Sequence, residues 1–367
     1  MAAPIIEGVP TGIAAFVAPA PQGPQGTPVA ISSVLDFERN FGSAAAAGSL
    51  GFAVRLFFEN GGTAAYVVRV PESAPPAVAD YGDPTAGTGI YCLDAVEILS
   101  LLCLPAVAGN PGISAVLPLA AAYCEGRRAL LLADLPASGS VADAQTWMAT
   151  TGAGLRSRNV AAYYPGLIVP GTGGGQAAVS CAGAVAGVFA RFDRERGAWH
   201  APAGTGARIA GAIGLTHDLS DSDATLLTAL GLNCLRHFPG TGHVIWGDRT
   251  MMGADGSADE YKYVPVRRMA LFLEQSIREG TRWAVFEPNG PPLWGLLASA
   301  ATAFLQGLFG QRAFAGSTPA ESFFARCDAT TTSEADRQAG IANLVVGFAP
   351  AQPAEFVILA IPLLIQP

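Results

Sequence analysis

The sequence contains an unbroken apolar run, Ala129-Leu130-Leu131-Leu132-Ala133, that closes on an acid at Asp134. A strand of alternating polarity can keep one face in water. A strand that is apolar at every position has to be covered on both faces, as happens at the centre of a parallel sheet flanked by helices. Ala64-Ala65-Tyr66-Val67-Val68-Arg69-Val70, stopped by Pro71, and Val160-Ala161-Ala162-Tyr163-Tyr164 also read as strands. Helical segments are expected between such strands at 50–60, stopped by Gly61-Gly62, and at 94–101, 113–127 and 141–150. Ahead of them, 12–17 and 28–31 read as strands, and Ser32-Ser33 caps a helix that runs through Phe37 and Phe41 to Gly42. Residues 72–89, rich in Pro, Ala, Gly and Asp, read as a surface connection, and 176–189 as a closely packing helix of small residues. This strand–helix rhythm predicts an α/β layer structure.

The order of elements changes after the polar stretch Met252-Gly253-Ala254-Asp255-Gly256-Ser257-Ala258-Asp259-Glu260. An amphipathic helix is expected over 266–279, a strand over 283–286 and a long helix from Pro291-Pro292 to 309. Strands follow over 323–327, 344–348 and 356–361. Helices first and strands afterwards predict a separate α+β unit, so the domains are read as 1–255 and 256–367. The β-prone run Phe356-Val357-Ile358-Leu359-Ala360-Ile361 either pairs inside its own domain or is offered to a neighbour.

Half of the 367 residues are hydrophobic and only 14% are charged, with a mean hydropathy of +0.35. A membrane or large buried interfaces must therefore account for the apolar surface. A spanning helix needs roughly 20 continuous apolar residues. The uncharged run 98–124 is interrupted by Pro105, Pro111 and Pro118, and 159–190 by Pro165, Pro170 and a glycine cluster. The run 288–311 opens with prolines and then carries Ser299, Thr302 and Gln306. Membrane insertion is not expected. The start, Met1-Ala2-Ala3-Pro4-Ile5-Ile6-Glu7, lacks the basic and apolar blocks of a signal peptide. With 21 cationic against 29 acidic residues, no basic stripe is available for a nucleic-acid backbone. The six cysteines are scattered in apolar strings without a C-x-x-C pair, and read as small buried hydrophobes.

Tests for chemistry give no active site. Gly171-Thr172-Gly173-Gly174-Gly175 lacks the lysine and hydroxyl of a phosphate loop and reads as a turn. His237 and His243, with Asp248 nearby, have no zinc-ligand spacing, and their setting reads as a hairpin turn. The nucleophile-elbow pattern G-x-S-x-G of an α/β hydrolase is absent, and no cysteine carries a nucleophile signature. Arg267-Arg268 with Glu274 reads as an ion-pair network on a helix surface. No catalytic residue, cofactor or metal is expected.

Several strings, in order along most of the chain, resemble the contractile tail sheath family of phages and phage-derived injection systems. They include Gly8-Val9-Pro10-Thr11-Gly12-Ile13-Ala14-Ala15-Phe16-Val17, Phe57-Phe58-Glu59-Asn60-Gly61-Gly62 and Gly197-Ala198-Trp199-His200-Ala201-Pro202. The strongest stretch runs from Gly231-Leu232-Asn233-Cys234-Leu235-Arg236 through Val244-Ile245-Trp246-Gly247-Asp248-Arg249-Thr250 and Tyr263-Val264-Pro265-Val266-Arg267-Arg268. The resemblance implies a non-enzymatic protein whose first region has a subtilisin-like layer arrangement, without the catalytic Asp-His-Ser set. It implies stacked hexameric rings around an inner tube, with baseplate and cap proteins as further partners, put together in the bacterial cytoplasm as part of a phage tail or tail-like particle. Family members commonly begin with an extended arm, whereas Pro4-Ile5-Ile6-Glu7-Gly8-Val9 reads as a start almost at the first strand, and a minor adaptor ring at the baseplate or cap is the alternative expectation. Phe356, Val357, Ile358, Leu359, Ala360 and Ile361 are the expected inter-subunit strand. Removing the residues after Pro353 is then expected to abolish tubes and leave a folded monomer. Glu334, Asp336 and Arg337, on a short polar helix, are the candidate contacts to the inner tube.

Overall fold

The computed structural model describes residues 5–171, 174–351 and 355–365. Internal packing divides the chain into Pro10–Val264 and a second unit that joins Met1–Val9 to Pro265–Pro367. The break expected after residue 255 lies upstream of this division, and the first nine residues group with the later unit.

In chain order the larger unit contains β1 (Ala14–Pro19), β2 (Val29–Ile31), α1 (Val34–Phe41), α2 (Gly48–Glu59), β3 (Ala65–Val70), β4 (Leu101–Cys103), α3 (Val116–Arg127) and β5 (Leu130–Asp134). There follow α4 (Val141–Ala149), β6 (Val160–Tyr164), β7 (Leu167–Pro170), β8 (Gln176–Val179), α5 (Ala182–Arg196), β9 (Gly214–Leu215), α6 (Asp221–Ala229), β10 (Asn233–Phe238) and β11 (Gly242–Trp246). Eight strands form one sheet in the order β11-β10-β6-β5-β4-β1-β3-β2. From β3 to β10 all neighbours are parallel, and the two outermost strands are antiparallel. Along β5, Leu130 and Leu132 enter a core with Phe16, Phe57 and Phe189. Leu131 and Ala133 enter the opposite core with Val17, Leu117 and Leu227. The central strand is thus covered on both faces, as its composition requires.

Three segments differ from the sequence expectation. Residues 176–179 are strand, pairing antiparallel with β7, and the helix begins only at Ala182. Its start is fixed from a distance, because Asp134 at the end of β5 accepts the backbone N–H groups of Cys181 and Ala182 at 2.9 and 2.8 Å. The segment 94–101 is not one helix: a 3₁₀ turn ends at Ala95 and β4 begins at Leu101. At three residues β4 is too short to show a period. The helix expected from 113 starts at Val116, after a separate turn at Pro111–Ile113. On one face of the sheet α5 presses on α2 backbone to backbone. A Cβ on Gly183 or Gly187 would lie 2.3 Å from the carbonyl oxygens of Ala53 and Phe57 respectively.

Burial pushes the Asp134 carboxyl up to about 6, against the pull of its two amide donors. A carboxyl whose folded pKa exceeds its unfolded value binds its proton more tightly when folded. Its contribution is therefore largest below about pH 4 and is lost as pH rises through 6. Asp134→Asn keeps an acceptor for both amides and carries no charge. Its stability relative to the parent is expected to improve by up to about 3 kcal/mol between pH 4 and pH 7, read as diverging melting temperatures. Parallel melting curves across that range would refute the assignment.

The outer edge of β11 is closed by its own chain. Ile245 donates to Ala207 O at 3.0 Å and accepts from Gly204 N at 2.8 Å, and His243 O accepts from Ile209 N at 2.8 Å.

The second unit contains α7 (Val264–Gly280), α8 (Pro291–Gly310), α9 (Pro319–Ser322), β12 (Phe323–Arg326), α10 (Glu334–Gln338), β13 (Ile341–Phe348) and β14 (Val357–Leu364). Its sheet has the order β12-β13-β14 and is antiparallel throughout. The strand expected over 283–286 is instead a 3₁₀ helix, Arg282–Phe286, closed by bonds from Ala284 N to Thr281 O and from Glu287 N to Ala284 O. An apolar run without a partner strand satisfies its backbone locally. Helix α8 is long and apolar enough by composition to cross a membrane. Its Leu293, Trp294, Leu297, Ala301 and Leu305 are buried within the protein, and it packs on β12 and β13. The Arg267–Arg268–Glu274 surface network is corrected in part: Arg268 is buried, and Glu274 pairs with Arg278 one turn on at 3.3 Å. The chain start is tied to α7 by a bond from Val9 N to Ser276 Oγ at 3.1 Å.

Candidate functional site

The expected inter-subunit strand is paired within its own unit. β14 matches β13 residue for residue, from Val357 opposite Phe348 to Leu364 opposite Ile341. It also extends beyond Ile361. Period-two alternation sends Val357, Leu359, Ile361 and Leu363 into the core and leaves Ile358 59% and Leu364 75% exposed. On the outward face the Phe324 and Phe356 rings lie nearly parallel, centroids 5.8 Å apart. Gly347 lies between them, and a Cβ there would meet the two rings at 2.2 and 2.4 Å. No larger residue leaves that stack in place.

Hydrogen-bond phase shows which edges are used. Ile365 N donates to Gly340 O, so odd-numbered residues near the end of β14 face β13. Even-numbered residues therefore turn their N–H and C=O outward. Those of Ile358 and Ala360 meet no partner among the described residues. Pro362 has no N–H to offer, and its carbonyl already accepts from Arg278 Nη1 at 3.0 Å. The other side of β13 is occupied along its length. Past the end of β12, Asn343 N donates to Thr332 Oγ1 at 2.9 Å and Ile341 O accepts from Asn289 Nδ2 at 3.1 Å. Sequence reasoning missed Arg278 and Pro362. Proline inside a β-prone run was the available signal, since it is tolerated in sheets mainly on edges; nothing local marked the arginine.

Glu334, Asp336 and Arg337 do lie together on α10, but their charges are largely spent on one another and on the helix. Arg337 grips Glu334 with two bonds, Nε to Oε2 at 2.7 Å and Nη2 to Oε1 at 2.6 Å. That guanidinium, helped by Gln338, holds the Glu334 carboxyl down at about 2. Asp336 closes a capping box, accepting from Ser333 N and Oγ while its own N–H donates to Ser333 Oγ. Its oxygen also accepts from Asn343 Nδ2 at 3.1 Å.

Elsewhere, His237 and His243 face each other across the β10–β11 hairpin with ring centroids 4.8 Å apart. Among the described residues no group of three His, Cys, Asp or Glu is placed to hold a metal ion. The glycine cluster closes a hairpin through Gly171 N to Gly175 O at 2.8 Å; Thr172 and Gly173 lie outside the described residues. The cysteines are free, and all but Cys92 are buried. Burial pushes the Cys103 and Cys181 thiols well up, away from the thiolate a nucleophile needs.

The described residues form a layered α/β body and a second unit whose last described strand has an open edge. Comparison with known proteins narrows the class. Residues 97–251 match the family model for the central domain of phage tail sheath proteins. A tail sheath protein of Vibrio phage KVP40 is 32% identical over 112 residues, which is 30% of this chain and 16% of that relative's length. The helical sheath of the anti-feeding prophage in its contracted state superposes with a TM-score of 0.78 at 29% identity, over 97% of this chain and 94% of that one. The PVC sheath complex of an extracellular contractile injection system, also contracted, gives 0.76 at 25% identity over 97% and 93%. Residues 97–251 thus carry the central domain of phage tail sheath proteins, and over nearly its whole length the chain resembles the sheath proteins of contractile injection systems, which are structural proteins.

Proposed function

We propose that this chain is the repeating subunit of a contractile sheath. Copies stack as hexameric rings into a helical tube around an inner tube, and contraction drives that tube through a target envelope. The observation that carries the reading is the likeness, over nearly the whole chain, to two sheaths solved in the contracted state. Head-to-tail contacts that do not close generate helical assemblies. An extended lattice held behind a kinetic barrier can then release free energy by repacking its subunit contacts.

In this reading the subtilisin-like layered region, 1–255, forms the non-catalytic body and 256–367 the lattice-forming domain. Phe356, Val357, Ile358, Leu359, Ala360 and Ile361 join the sheet to a neighbour's. The partners are copies of the chain, the inner tube protein, and baseplate and cap proteins. Neither nucleic acid nor membrane insertion has a part, and the particle is put together in the bacterial cytoplasm. Glu334, Asp336 and Arg337 face the inner tube.

Negative-stain microscopy of the chain co-expressed with its inner tube protein is the test. Striated tubes are expected; isolated rings or dispersed monomers would overturn the reading. The tube contact has its own check. Exchanging the pair, as Glu334→Arg with Arg337→Glu, keeps an ion pair and the Asp336 capping box. It is expected to lower co-assembly with the inner tube at least tenfold while melting is unchanged. Undiminished co-assembly would place α10 away from the tube.

A further inference from the structure

We propose that His237 and His243 form a two-imidazole binding site for a divalent transition-metal ion, with water filling its remaining positions. Along the chain the pair has no ligand spacing; strand register brings the rings together. His243 lies directly opposite His237 across β10 and β11. The His243 carbonyl accepts from Ile209 N, and Ile245, on the same phase, donates to Ala207 O. Those backbone groups turn away from β10. His237 and His243 are therefore a non-hydrogen-bonded pair, the kind whose Cα atoms are only about 4.5 Å apart. Period-two alternation sets Leu235 and Ile245 on the same face, and both are fully buried in the core. The rings thus continue a packed layer toward the turn, which is closed by Thr241 N to Phe238 O at 3.0 Å.

The ring separation matches chelation. An imidazole nitrogen binds zinc at about 2.0–2.1 Å, which puts each ring centroid about 3.2 Å from the ion. Two such rings would have centroids about 4.5 Å apart at right-angled positions and about 5.2 Å apart at tetrahedral ones. The observed centroids are 4.8 Å apart, with the ring planes inclined at 50°. His243 Nδ1 is buried and meets no hydrogen-bond partner among the described residues. Buried polar nitrogens are rarely left so, and an ion is one group that satisfies them. Burial, and then the facing His237, push the His243 pKa down, against the pull of Asp218. The ring is therefore neutral at pH 7, the form that ligates a metal. The Asp218 charge favours a cation, and the exposed His237 gives it access from solvent. Among the described residues no third His, Cys, Asp or Glu completes the set. The site therefore suits imidazole-binding ions that accept water as co-ligand, such as Zn2+, Ni2+ or Cu2+.

Isothermal titration of the full chain with Ni2+ near neutral pH tests this, because nickel binds imidazole without oxidising the free cysteines. One ion per chain is expected. His237→Ala and His243→Ala are each expected to weaken binding at least tenfold, and His200→Ala, outside the pair, to leave it unchanged. His237 is exposed, so H237A removes a ligand without opening the core. Parental affinity in H237A, or no binding by the parent up to about 1 mM Ni2+, would overturn the proposal. Should a variant misfold, melting of the parent decides. Nickel at about 1 mM is expected to raise the melting temperature by at least about 3 °C, and EDTA to reverse the shift. A melting temperature indifferent to nickel would sink the idea.

Discussion

Truncation after Glu355 is expected to unfold the second unit outright, not to yield a sound monomer that merely fails to assemble. β14 buries Val357, Leu359, Ile361 and Leu363, and Ile365 follows them into the core. At roughly 1.5–3 kcal/mol for each buried side chain, about 7–15 kcal/mol of apolar burial is lost, which rivals the whole stability of an ordinary domain. Limited proteolysis should degrade 265–355 while leaving 10–264 intact. A truncated chain that resists protease as the parent does would show that β14 is an accessory and not part of the core. The sequence alone predicts that removing the residues after Pro353 abolishes tubes and leaves a folded monomer, whereas the burial of β14 predicts loss of the unit's fold as well. Ile358→Asp is the contrasting change, because that side chain is mostly exposed and its loss leaves the monomer's core untouched.

The second large effect is expected at Gly187. Its Cα faces the Phe57 carbonyl of α2 so closely that even a methyl group would sit 2.3 Å from the oxygen, with Asn60 Cβ at 2.7 Å. Both neighbours are held: α2 packs its Leu56 and Phe57 into the core, and the Asn60 amide donates to Leu56 O and Ala210 O. Gly187→Leu must push two helices apart and open a void beside Phe189. Overpacking typically costs 1–3 kcal/mol, and loss of the Asn60 bonds adds to it, so about 3–5 kcal/mol is expected. Denaturant midpoints measure it. A shift under about 1 kcal/mol would mean that α5 has room the structure does not show.

What could be read from sequence, and what could not, follows from the range of the forces involved. β5 was legible because burial on both faces leaves no polar position. The β10–β11 hairpin was legible because the glycines at 240 and 242 adopt positive φ in a short loop. The start of α5 was not, because a carboxylate some 48 residues earlier caps it. Local composition made 176–189 look uniformly helical, yet 176–179 found a partner in β7. The terminal strand was recognised as a strand, but pairing is a property of two segments, and its partner β13 had to be seen in place. The α10 charges were recognised too. Their consumption by a capping box and a bidentate pair reduces what they can offer a neighbour.

The order of the chain adds a consequence for synthesis. The segment 204–209 leaves the ribosome before β11, so the strand that would expose the larger sheet's edge emerges after its cover. β14, in contrast, follows every other described element. Until β14 emerges, the edge of β13 that it covers in the folded unit stands unpaired. The sheet of the second unit is therefore closed over its core only when the last described strand arrives.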